Sequence, residues 1–137
     1  MNNHDDLRGT FVLVHPELLN DPAEKKNQVG VISSADLYND NIVVSFSDGS
    51  ESLFSTDALL VMGDTEEIRR YADYDVDLLP REDYFDIMEV CITAETEDLG
   101  GQKAAIQLAS KNPMALEYAM LALNHELGLN RHKSPGR

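Results

Sequence analysis

IVVSFSDGSESLFS, residues 42–55, reads as a β-hairpin and sets the fold class. Asp48-Gly49 stands between two runs of strand-forming residues. A type I′ turn needs positive φ at both central positions, which Asp tolerates and Gly adopts freely. A two-residue loop sets Ser47 against Ser50, Phe46 against Glu51, Val44 against Leu53 and Val43 against Phe54. One face then carries Ile42, Val44, Phe46 and Leu53. The other carries Val43 and Phe54 among serines, the alternation of a half-buried sheet. A three-residue loop would slide the register by one and send Leu53 to the opposite face.

Working outward, five more short segments join the hairpin strands or punctuate them. TFVLV, residues 10–14, follows Gly9 as a strand and stops at His15-Pro16, because proline donates nothing to a ladder. QVGVIS, residues 28–33, is a second strand, with Gly30 as a bulge or bend. Asn39-Asp40-Asn41 turns into the hairpin. Residues 55–58 form one tight turn, and LLVM, residues 59–62, is a fifth strand ended by Gly63.

The order of these segments resembles the small SH3-like barrel, in particular its Tudor and KOW-like members, over residues 9–62. The text that carries the likeness is GTFVLV (9–14), VGVI (29–32), VVSFSDG (43–49) and DALL (57–60). The resemblance implies a five-stranded barrel. It would also imply a cation–π cage or a nucleic-acid surface, and here the residues depart from the pattern. Asn27 and Gln28 stand where an aromatic pair usually precedes strand two, and Ser47-Asp48-Gly49 has no aromatic. What the likeness leaves as binding candidates is Tyr38, Asp48 and Phe54. Residues 1–62 carry ten acids against Arg8, Lys25 and Lys26, which disfavours a phosphate backbone as partner.

After Gly63 the apolar period lengthens to that of helices. Asp64 with Glu67 forms a capping box for a helix running to about Ala72. DYDVD, residues 73–77, connects to a helix over about 80–96 with Pro80 at its first position. Its expected inner stripe is Tyr84, Phe85, Met88, Cys91, Ile92 and Glu95. Gly100-Gly101 breaks the chain before a helix over about 102–111 that shows Ala105, Leu108 and Ala109. Asn112 caps, and Pro113 opens, a helix to Leu127 with Leu116, Ala119, Met120, Leu123 and Leu127 in line. Gly128 is its expected stop. The fold class is therefore α+β: a five-stranded SH3-like barrel over 9–63, then a lobe of three to four helices over 64–129 packed against it. Residues 1–8 and 130–137 are expected to be flexible.

Composition narrows the function classes. The chain has 137 residues, 42% hydrophobic and 26% charged, with a net charge of −14. No apolar run approaches a membrane span, and the start of the chain has no apolar core of a signal peptide. The single cysteine, Cys91, fits a reducing cytoplasm. Residues 64–98 hold thirteen acids against Arg69, Arg70 and Arg81, the densest charge present: it reads as the solvated face of two helices or, more sharply, as a docking face for a basic protein.

Motifs for chemistry fail on inspection. Asp73, Asp75 and Asp77 alternate like calcium ligands, but Leu78 and Tyr84 occupy the glycine and glutamate positions such a loop needs. His4, His15, His125 and His132 have no ligand spacing. Cys91 lies on an apolar stripe, as an inert buried thiol does. No nucleophile elbow, phosphate loop or dinucleotide fingerprint appears. The sequence thus predicts no catalytic residue, metal or cofactor. It predicts a non-enzymatic cytoplasmic interaction module for another, basic protein, with homodimerisation through the helical lobe as a further form. The alternatives are a nucleic-acid-linked accessory protein using the barrel, or a small-molecule binder with a pocket between barrel and helices, where Tyr84 joins Tyr38 as a candidate.

Overall fold

The computed structural model describes residues 7–18, 24–96 and 99–127, and the protein is an α+β fold in two compact units. One unit holds the described residues up to Val61 and those from Leu121 on; the other is Met62–Met120. The sequence pattern carries the helical part to residue 129, whereas the helical unit ends at Met120. The expected stop at Gly128 and both expected flexible ends, apart from Leu7 and Arg8, lie outside the described residues.

The first unit is built on strands β1 (Phe11–Val14), β2 (Val29–Asp36), β3 (Asn41–Ser45), β4 (Glu51–Phe54) and β5 (Leu59–Met62). A single 3-10 turn, Thr56–Ala58, precedes β5. A sixth strand, β6 (Met120–Ala122), joins beside β5, giving the open order β4-β3-β2-β1-β5-β6. The ladders among the described residues are those of an open six-stranded sheet, where the sequence led to a closed barrel of five. Val12, Val14, Ile32, Ile42, Val44, Phe46, Phe54, Leu59, Val61 and Leu123 form one buried core. Leu13 and Leu60, paired across β1 and β5, are buried on the opposite face.

The hairpin has the alternative register. Ile42 pairs with Phe54, Val43 with Leu53 and Ser45 with Glu51. Phe46 N–H donates to the Ser50 carbonyl and Gly49 N–H to the Phe46 carbonyl, so the loop is Ser47-Asp48-Gly49. Gly49 sits at φ +89°, and a type I turn followed by a left-handed residue is the usual three-residue solution. Phe54 thereby turns into the core and Leu53 out to solvent, at 59% exposure. The bend of β2 falls between Ile32 and Ser34 rather than at Gly30. The extra residue changes parity, so Ile32 and Ala35 both point inward.

The second unit has four helices: α1 (Thr65–Tyr74), α2 (Arg81–Ala94), α3 (Leu99–Ser110) and α4 (Pro113–Ala119). Asp64 caps α1 by accepting from Glu66 N–H. Pro80 is the residue before α2, not its first. Asn112 caps α4 by accepting from Met114 N–H at 2.9 Å. The long last helix expected to Leu127 is interrupted: Met120 to Ala122 are extended, and a four-residue α5 (Leu123–Glu126) follows. Sheet pairing at β6 overrides the helical spacing, and it carries Leu123 into the sheet core. Met120 and Leu123 are buried as the stripe implies; Leu116 is half-buried.

Candidate functional site

Helix α2 shows two apolar faces. Ile87, Val90, Cys91 and Ala94, at i, i+3, i+4 and i+7, are the buried ones. Phe85 and Ile92, expected inside, are 58% and 60% exposed, and Met88 between them is half-buried. Phe85, Met88 and Ile92 follow the i, i+3, i+7 spacing of a helix–helix seam. Glu95, also expected inside, is exposed and receives a two-pronged ion pair from Arg69 on α1, with Nη2 to Oε1 at 2.9 Å. That pair holds the Glu95 carboxyl below the usual range.

The seam has an acidic flank. Glu82, Asp86 and Glu89, at i, i+4 and i+7, are all exposed. Next to them Asp86, Glu89, Leu108, Lys111 and Asn112 line a cleft of about 200 Å³. Asn112 joins α4 to α2 here. Its amide donates to Asp83 Oδ1 at 3.0 Å and Asp86 Oδ2 at 2.7 Å, while its own oxygen caps α4.

The acidic connector is tied down by tyrosines. Tyr84 Oη donates to Asp73 Oδ1 at 2.6 Å, and Tyr118 Oη to Asp75 Oδ2 at 2.6 Å. These bonds take up carboxylates that alternate like calcium ligands. Among the described residues, no group of three or more His, Cys, Asp or Glu side chains converges to hold a metal. Tyr118 is pushed up to about 12, first by its bond to Asp75, then by burial. The phenol ordinarily ionises at 10.0, so its raised value contributes stability that is complete below 10.0 and lost as pH rises through about 12. Urea midpoints of wild type and Tyr118→Phe should therefore differ near neutrality and converge across that window. A gap that stays constant with pH would mean the hydroxyl does not hold Asp75.

Of the four residues singled out by sequence, Tyr38, Asp48 and Phe54 lie apart from one another within the sheet unit. Tyr38 is 77% exposed in the turn between β2 and β3. Asp48 lies in the hairpin loop at the other end of β3. Phe54 is buried, with its ring edge-on to Phe46 at 6.2 Å. Tyr84 belongs to the helical unit. Asp48 accepts from Ser50 Oγ at 2.6 Å, from Ser50 N–H at 2.9 Å and from Lys25 Nζ at 3.0 Å. These bonds, led by the Ser50 hydroxyl, hold its carboxyl far below the usual range. The same Lys25 ammonium stands 4.9 Å from the Phe46 ring centroid. The chain's own lysine thus covers this aromatic and carboxylate pair. Cys91 is fully buried, and burial pushes its thiol up, away from the thiolate a nucleophile needs.

Sequence reasoning missed Phe85 and Ile92 as surface residues, and Asn112 as a bridge. The signal for the first two was present: α2 holds two interleaved stripes, and only one can face inward. No helix among the described residues is long and apolar enough to cross a membrane. No protein family, curated protein or solved structure matches the chain.

Proposed function

We propose that this chain is a non-catalytic protein-interaction module whose contact surface is the outer face of α2. The observation that carries this reading is the apolar line of Phe85 and Ile92, left in solvent with half-buried Met88 between them, on a helix whose other face is already buried. Large apolar side chains grouped on a surface mark sites of association. The sheet unit would serve as carrier. Its strand order, bent β2, three-residue hairpin loop and 3-10 turn before β5 support a likeness to the small SH3-like barrel. Tyr38 and Asp48, at opposite ends of β3, give that likeness no shared ligand set. A single buried thiol fits a reducing compartment such as the cytoplasm.

A photo-activated cross-linker placed at Ile92 tests the contact face in the source cells. The expected result is a discrete adduct with another protein, absent when the cross-linker replaces exposed Glu17 and absent from the purified chain. An adduct formed by purified protein alone would make the seam a homodimer face. No adduct in either setting would remove the reading.

A further inference from the structure

Resting on the reading of α2 as a contact face, we infer that its occupant is a basic amphipathic helix of the partner protein. The seam spacing of Phe85, Met88 and Ile92 is what a second helix presents in return, with apolar residues at matching positions. The flank formed by Glu82, Asp86 and Glu89 runs parallel to the seam, so a docked helix meets carboxylates along one side only. On the other side, Glu95 is already engaged by Arg69. Lysine or arginine on the partner's matching side completes the arrangement.

The cleft on the acidic flank fits the same partner. At about 200 Å³ it is smaller than the roughly 300–1,000 Å³ typical of small-molecule sites. Leu108 offers an apolar wall for the stem of a long basic side chain and Glu89 a carboxylate for its cation, while Asp86 already accepts from Asn112 and Lys111 shares the lining. Competing occupants are disfavoured by charge. An antiparallel second copy would set this acidic flank against its own equivalent, between chains of net charge −14 each. Nucleic acid and anionic lipid are repelled for the same reason.

The full-length protein and three labelled synthetic helix-forming peptides decide the matter by fluorescence anisotropy. One has Leu in the seam positions with Lys flanks. A second has the same composition in permuted order. A third has Glu flanks. The Leu/Lys peptide should bind, and the permuted peptide should bind at least about tenfold more weakly. Phe85→Ser with Ile92→Ser should abolish binding. Glu82→Lys with Glu89→Lys, shown by melting to stay folded, should weaken the Leu/Lys peptide roughly tenfold and admit the Glu-flanked one. Equal binding of the permuted peptide, indifference to the charge reversal, or no binding at all would overturn the inference. An Ile92 adduct that persists alongside such a failure would leave the contact face standing and remove only the basic helix.

Discussion

Gly30→Ala is expected to cost the sheet unit about 3 kcal/mol, toward the upper end of overpacking penalties, and to lower its melting midpoint by about 10 °C. The reason is space, not backbone angle. A Cβ on Gly30 would lie 2.4 Å from Val44 Cγ1, 2.9 Å from the Ser45 carbonyl oxygen and 3.0 Å from Phe46 Cε1. Val44, in β3, and Phe46, just past its end, are core residues folded over β2 at the point where β2 carries no side chain. A rotamer change could move the Val44 methyl. The Ser45 oxygen is backbone in the β3 strand, so relieving that contact means separating β2 from β3. Gly49→Ala is the matched control. It faces open space at φ +89°, so only the left-handed conformation is penalised, by roughly 1–2 kcal/mol. Equal melting of Gly30→Ala and wild type would show that β3 does not approach β2 this closely.

The second large effect separates the two faces of α2. Ile87 is fully buried, and Ile87→Ala should cost about 3 kcal/mol from lost burial and the cavity left behind. Ile92→Ala, one face round on the same helix, should stay within about 0.5 kcal/mol of wild type. Urea unfolding with unchanged slope is the appropriate measurement, since only the midpoint should move. Were Ile92→Ala the more damaging change, the seam would be core, and both the contact face and its basic occupant would be withdrawn.

This pair of isoleucines also shows where sequence reading reaches its limit. The strands were legible because β-branched runs bounded by Gly, Pro and Asp leave few alternatives; LLVM at 59–62 matches β5 residue for residue. The helix caps at Asp64 and Asn112 were legible for a similar reason, since a side-chain oxygen before a helical run has one local use. Hairpin register was not. Ser45, Ser47, Ser50 and Ser52 sit on both arms and give neither pairing an apolar advantage, so the choice fell to the loop and the left-handed Gly49. The inner face of α2 was not legible either. Apolar residues occur nearly all round the helix, and the bulkier stripe was the natural choice for the core. The smaller one, Ile87, Val90 and Ala94, is buried instead, and of the expected stripe Cys91 is fully buried with it. The break at Met120 had no local signal, because Leu116, Met120, Leu123 and Leu127 keep perfect helical spacing through a strand. The candidate site was therefore half visible: its acidity was plain, its apolar centre hidden by assignment to the wrong side.

The helical unit leaves the sheet from β5 and the chain returns to it through β6, and these strands are neighbours. Its base thus spans a single inter-strand step of about 5 Å. An inserted body with closely spaced ends burdens its host with little more chain entropy than a short connection would. The pairing of β5 with β6 is therefore insensitive to how many residues lie between the two strands, and the sheet closes around the insertion as it would around a loop.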